Sequence, residues 1–174
     1  MADSLPPVFI RKLASSDLAA WGKIVVPLSG YSADAYMAQA FAEQESGRRR
    51  IIGAFSGEEI VGYVFLNFQP LYQPFRSLNI PEFQDLHVVP AMRGRGVAAA
   101  LVAFCETAAR ECGAEMIGLG VSVHKNFGPA QRLYAKLGYS PDGNGIVHER
   151  QNVTFGELKP VGDDLCLMMI KRLA

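Results

Sequence analysis

Strand-length apolar runs alternate with apolar positions at helical spacing along the chain, and their order predicts its elements. Val8-Phe9-Ile10-Arg11-Lys12-Leu13 reads as a first strand. Ser15-Ser16-Asp17 then offers cap chemistry for a helix carrying Leu18, Trp21 and Ile24. A second helix is predicted from near Ser32, with Tyr36, Ala40 and Phe41 on helical spacing and an end around Gly47. Arg50–Phe55 and Ile60–Leu66 flank Ser56-Gly57-Glu58-Glu59, the pattern of a β-hairpin. Residues 69–81, with Pro70, Pro74 and Pro81, predict a long loop bordering a cleft. Beyond it come a strand over Phe83–Val89, a helix from about Gly96 to Cys112 closed by Gly113, and a strand over Glu115–Val123. A helix over Gly128–Leu137, closed by Gly138, and an apolar strand over Leu165–Lys171 complete the series. In the Gly96–Cys112 helix, Val97, Leu101, Phe104, Cys105, Ala108 and Cys112 share one face, while Glu106, Thr107, Arg110 and Glu111 fall elsewhere.

No repeat, linker or low-complexity stretch interrupts this order, so the expectation is a single α/β (α+β) domain over residues 1–174. A chain of 174 residues buries about 70% of its unfolded surface and needs no metal or disulfide to hold a core. Seventeen basic and seventeen acidic side chains cancel, which argues against nucleic acid or an anionic membrane as the main partner. Cys105, Cys112 and Cys166 form no paired framework, the pattern of a reduced compartment, and read as packing residues. Met1 to Val8 does not read as a signal peptide, and no window approaches the roughly 20 apolar residues of a membrane span. A cytoplasmic location is expected.

The stretch from Asp85 to Ala98 carries the most chemistry: an apolar strand runs into a basic, glycine-rich turn that opens an alanine-rich helix. Gly94 and Gly96 remove Cβ where a pyrophosphate would approach, and the first helical turn offers unpaired N–H groups to it. Arg93 and Arg95 add positive charge beside those amides. Gly94-Arg95-Gly96-Val97-Ala98-Ala99 can also be read as a dinucleotide fingerprint, with Glu115 about twenty residues on. In the dinucleotide fold the acidic residue closes the second strand, whereas Glu115 stands before its strand, and too little chain follows for a doubly wound sheet. No Gly-Lys-Ser/Thr is present to hold a triphosphate with magnesium.

Read as Arg-x-x-Gly-x-Ala, Arg93 to Ala98 resembles the acyl-CoA pyrophosphate loop of the GNAT superfamily of N-acetyltransferases. Asn126-x-x-x-Ala130-x-x-x-Tyr134-x-x-x-Gly138-Tyr139 resembles that superfamily's second cofactor motif, about thirty residues later. The resemblance covers most of the chain. It implies a mixed central sheet, flanked by helices, that splays between two parallel strands, here 83–89 and 115–121. A β-bulge in the first of these commonly helps to open the gap. The pantetheine arm of acetyl-CoA would pair with the main chain of His87, Val88 and Val89. Amides of Gly94, Arg95, Gly96, Val97, Ala98 and Ala99 would hold the pyrophosphate with Arg93 beside them, Asn126 and Ala130 would face the cofactor, and Tyr134 would sit near the sulfur.

Acyl transfer from a thioester to an amine needs a neutral amine, a stabilised oxyanion and a protonated leaving thiol. An alkyl ammonium has a pKa of about 10, so a carboxylate must help to remove its proton. Glu82, where several family members carry a catalytic glutamate, is the first choice and Asp85 the second. The Val88 amide would polarise the thioester carbonyl, and the Tyr134 phenol would protonate the thiolate. Each has a plainer reading. Tyr134 lies on the apolar stripe Ala130, Leu133, Tyr134, Leu137, Glu82 can be a surface carboxylate, and Asn126 can merely cap its helix. His87, His124 and His148 lack zinc-like spacing, so no metal is expected. His87 can line the acceptor cleft or serve structurally, and Arg48-Arg49-Arg50 reads as a solvated strand start.

No cysteine occupies a motif position suited to an acyl-enzyme, so direct attack in a ternary complex is expected. The alternative is a CoA-binding sensor or interaction module with little catalysis. The partner would be a small-molecule amine or a protein or peptide amine, with a homodimer left open. Residues 24–34, 69–81 and 141–160, carrying Tyr31, Tyr72, Phe75, Arg76, Asp142, His148, Glu149 and Arg150, are the expected acceptor segments.

Overall fold

Trp21 shows why the first half of the chain folds as it does: it is 0% exposed, and its indole meets Phe41, Tyr63 and Phe65 edge-on at 5.8, 5.6 and 5.9 Å. The computed structural model containing it describes residues 7–29 and 33–173, without the side chains of residues 26–29 and 33. The expected helix start near Ser32, the candidate pocket residue Tyr31 and the segment Met1–Pro6 lie outside the described residues. Eight strands form one mixed sheet, with the eighth inserted between the fifth and the sixth. The chain divides into two compact units, Met1–Asn67 with Phe83–Thr107, and Phe68–Glu82 with Ala108–Ala174.

In the first unit, β1 (Val8–Lys12) pairs antiparallel with β2 (Arg49–Ser56), which continues through the expected hairpin into β3 (Glu59–Asn67). Ile60 to Asn67 are all buried, so β3 is an apolar run rather than an alternating one because both of its faces are covered. Helices α1 (Leu18–Ser29) and α2 (Ala33–Glu45) supply Trp21, Val25, Met37 and Ala40 to a core with Ile51, Phe55, Ile60, Tyr63 and Phe65. The expected cap before α1 takes a different form. Ser15–Asp17 make a short 3-10 turn, and the Asp17 carboxylate reaches back to the Ala14 N–H at 2.8 Å while paired with Arg11. Arg49 of the basic run pairs with Glu43 and lies over the Phe65 ring rather than standing in solvent.

Strand β4 (Glu82–Val88) leads to helix α4 (Val97–Glu111). Val97, Leu101, Cys105 and Ala108 are buried as the spacing predicts, but Cys112 is exposed and Glu106 is only 7% exposed. The helix ends at Glu111, so Cys112 leaves the stripe. Glu106 stands one turn after the buried Val102, beside that stripe rather than opposite it.

In the second unit, the expected loop over residues 69–81 contains a short helix, α3 (Gln73–Ser77). Tyr72 and Phe75 do not border a cleft: they are buried with Ile80, Val147 and Met168 as the unit's core. Of residues 141–160, an expected acceptor segment, half lie in β6 (Ser140–His148) and β7 (Gln151–Asn152). Strand β8 (Leu165–Arg172) lies between β5 (Met116–Ser122) and β6, antiparallel to both. Helix α5 (Gly128–Lys136) ends at Gly138, whose φ of +90° suits a residue without Cβ. The parallel register of β4 and β5 places Glu82 opposite Gly118, where the Gly118 N–H also reaches the Pro81 carbonyl at 2.9 Å.

Candidate active site

The end of β4 and the turn after it carry the first group of candidate residues. The Val89 N–H donates to Val61 O at 2.9 Å, so alternation turns the Val88 N–H to the other side of the strand, away from β3. Pro90–Met92 form a 3-10 turn, and Arg93 Nε donates to Val88 O at 3.0 Å. Arg93 therefore braces the loop against its own strand as well as adding charge. Gly94 and Gly96 sit at φ +73° and +83°, and a Cβ on either would meet nothing within 4 Å. The requirement there is the left-handed backbone rather than room against the protein. The bond from Ala100 N–H to Gly96 O, at 3.0 Å, closes the first turn of α4. The N–H groups of Val97, Ala98 and Ala99 thus have no intrahelical acceptor and are placed to bind an anion.

Asp85 departs from strand geometry at φ +51°, the irregularity expected in this strand. Its exposed carboxylate accepts from Tyr36 Oη at 2.7 Å, and Tyr36 packs on Phe65 at 5.6 Å. Burial first, and then the Asp85 charge, drives the Tyr36 phenol far above its ordinary pKa, so it remains a donor. His87 lies against the Tyr63 ring at 5.1 Å. Burial lowers the His87 pKa against the pull of Asp85, with Arg93 adding to the fall. The imidazole is neutral near pH 7.

The two candidate carboxylates share β4 but not an environment. Glu82 is 0% exposed, and its Oε1 accepts from Arg150 Nη1 at 2.5 Å. Arg150 Nη1 also lies 3.8 Å from Met168 Sδ. Gly120 makes room for the guanidinium, since a Cβ there would stand 2.8 Å from Nη1. Gly118, on the same face of β5, makes room for the Phe75 ring, 2.3 Å from where its Cβ would be.

Tyr134 is 7% exposed on α5, with its ring centroid 6.2 Å from that of Tyr139. The helix is tied to β5 by Gln131 Nε2, which donates to Ser122 O at 2.8 Å. Ala130 is half-buried and Asn126 exposed. His124 caps the 3-10 turn Lys125–Phe127 that precedes the helix, its Nδ1 accepting from the Asn126 N–H at 3.4 Å, while α5 itself has Phe127 at its N-cap and no side-chain cap bond, so capping is not the task of the Asn126 side chain. Cys105 and Cys166 are unsuited to nucleophilic work, because burial raises both thiols, Cys166 to about 11.

Tyr36 and the glycine pair of β5 carry no role in the sequence reading, and Arg150 enters it only as one residue of an expected acceptor segment. Gly118-Leu119-Gly120 in a strand was the available signal, since such glycines mark close approach. Tyr36 was legible only as a helical apolar position.

A model described as the acetyltransferase (GNAT) family matches residues 18–139. The chain is 34% identical over 86 residues to the aminoalkylphosphonate N-acetyltransferase of Salmonella typhimurium. That match covers 49% of this chain and 53% of the relative, so the chain spans about half the length of this curated relative. A Salmonella typhimurium protein described as an acetyltransferase, solved with acetyl-CoA, superposes with a TM-score of 0.68 at 21% identity, over 96% of this chain and 94% of that one. The ribosomal-protein-alanine N-acetyltransferase of Brucella melitensis gives a TM-score of 0.70 at 18% identity, over 95% and 99%. Both structural likenesses concern the fold.

Proposed function

The chain belongs to the GNAT acetyltransferase family, and from that premise we propose that residues 1–174 act as one N-acetyltransferase domain, moving an acetyl group from acetyl-CoA to a primary amine. The observation that carries this reading is the turn after β4. Two glycines at positive φ lead straight into a helix whose first free amides point outward, and Arg93 and Arg95 stand beside them. This arrangement fits a diphosphate. Acetyl-CoA supplies the acetyl group as a thioester.

The remaining chemistry falls to named residues. The N–H of Val88 donates to the thioester carbonyl, stabilising the oxyanion as the C–N bond forms. Glu82, with Asp85 second, takes one proton from the acceptor's ammonium so that its nitrogen can attack. Tyr134 gives its phenolic proton to the sulfur as the C–S bond breaks, and regains one from the new amide nitrogen. One proton passes to solvent in the net reaction. Main chain at His87, Val88 and Val89 pairs with the pantetheine arm, and Asn126 and Ala130 face the cofactor. The raised thiols of Cys105 and Cys166 support direct transfer without an acyl-enzyme.

The Salmonella relative is named for aminoalkylphosphonates and the Brucella neighbour for a ribosomal-protein alanine. Acceptors so different leave the acceptor of this chain to its own residues, a small amine or a peptide amine. A cytoplasmic location is part of the proposal, in keeping with three free cysteines. Among the described residues no helix is long and apolar enough to cross a membrane.

Incubation with acetyl-CoA and a panel of amines, followed by mass spectrometry and thiol release, tests the reading. Acetylation of at least one amine is expected. Calorimetric binding of acetyl-CoA with no transfer to any amine would replace the enzyme by a CoA-binding module.

A further inference from the structure

Arg150 occupies one of the two central positions of the turn joining β6 to β7, where His148 pairs with Gln151. Glu149 and Arg150 both lie in the left-handed region, at φ +50° and +66°, a conformation that costs a glutamate and an arginine more than a glycine or asparagine. The turn delivers the guanidinium onto Gly120, into space that any Cβ would fill. Nη1 meets Glu82 Oε1 at 2.5 Å. A guanidinium can offer a carboxylate two parallel donors, yet Arg150 uses one nitrogen. Nη2 and Nε make no hydrogen bond among the described residues, and the side chain is 29% exposed. The fold thus holds a cation with one edge bound to a buried carboxylate and the other turned to solvent.

We propose that Arg150 determines acceptor specificity, selecting a small primary amine that carries an anionic group, a carboxylate or a phosphonate, on a short spacer from its nitrogen. The acceptor's anion takes the open edge of the guanidinium, a planar donor set suited to both anions. Its ammonium then lies beside Glu82. As the anion draws Nη1 away, Oε1 gives up this contact for one with the ammonium, whose proton it takes, so an amine without the anion leaves the ion pair in place. Arg150 acts through Glu82 as a positioning residue and binds the acceptor directly. The inference rests on the acetyl-transfer reading for its chemistry, but its binding step can be measured without transfer.

The test uses the full chain with aminoethylphosphonate, β-alanine and ethanolamine, following binding by titration calorimetry and transfer by thiol release. In the wild type at least one anionic amine binds about tenfold or more tighter than ethanolamine, a margin of one charge-assisted contact. Arg150→Met raises Kd and KM for that amine about tenfold and leaves ethanolamine within about twofold, while Arg150→Lys recovers part of the loss. Glu82→Gln lowers turnover yet tightens binding of the anionic amine, because the guanidinium is released. Arg150→Met removes the guanidinium from a buried carboxylate, so the Glu82→Gln/Arg150→Met double variant provides a neutral replacement that must also lose the preference. No preference in the wild type, equal losses for all three amines, or weaker anion binding in Glu82→Gln overturns the inference. Anion-selective binding through Arg150 with no transfer would keep the site and discard the acetyltransferase reading. Transfer without selectivity would do the reverse.

Discussion

Nη1 of Arg150 lies 2.5 Å from Oε1 of Glu82, joining a turn residue to a strand residue 68 positions earlier. The carboxylate is 0% exposed and the guanidinium side chain 29%. Removing one member of such a pair costs more than removing both, since a lone buried charge keeps its desolvation penalty. Arg150→Ala is therefore expected to lower unfolding stability by about 3 kcal/mol, and Glu82→Gln/Arg150→Met by clearly less. Urea unfolding of the two variants, set in a double-mutant cycle with the singles, measures the difference. Equal losses would mean that the pair is only an adjacency.

Gly96 needs its φ of +83°, not empty space, because a Cβ there would touch nothing within 4 Å. Gly96→Ala should lose about 1 kcal/mol of stability from left-handed strain. As the loop relaxes it should also weaken acetyl-CoA about tenfold, through misplaced amides. Gly162 is likewise uncrowded but has no positive φ, so Gly162→Ala serves as the neutral control. Thermal unfolding and acetyl-CoA calorimetry of both variants check this, and matching behaviour would separate the loop from the cofactor.

Tyr134→Phe keeps the ring that packs on Tyr139 and removes only the hydroxyl. Turnover is expected to fall on the order of a hundredfold, the scale of one lost general acid, with acetyl-CoA affinity changed less than threefold. Initial rates with an accepted amine, beside calorimetry, separate the two quantities. Unchanged turnover would falsify the assignment of Tyr134 as the acid.

The parts of the fold that could be read from sequence are those whose signal is local. Val97 to Ala108 declares a helix through its stripe, and Gly94-Arg95-Gly96 declares a turn through its glycines. Strand β6 was missed because Ser140-Pro141-Asp142-Gly143-Asn144-Gly145 has turn composition. In the structure these residues form a wide irregularity: Pro141 pairs with Met169, Ile146 with Leu167, and Tyr72 Oη pins Asp142 at 2.8 Å. The partners of the candidate carboxylates were illegible for a different reason. Asp85 finds Tyr36 across 49 residues and Glu82 finds Arg150 across 68, and no period or spacing encodes such meetings.

His87 supplies the clearest pH signature. Its burial beside Tyr63 holds the ring's pKa below the value of about 6.5 that it has in an unfolded chain. Between those two pKa values the unfolded chain binds more protons at this site than the folded one, so stability rises with pH in that window. Acidification below about pH 6.5 should therefore destabilise the protein through His87, and His87→Asn should remove that part of the slope. Urea unfolding across this range measures the slope, and proton NMR of the ring measures the midpoint. A midpoint at or above about 6.5 would mean that water reaches the imidazole and that Tyr63 does not bury it.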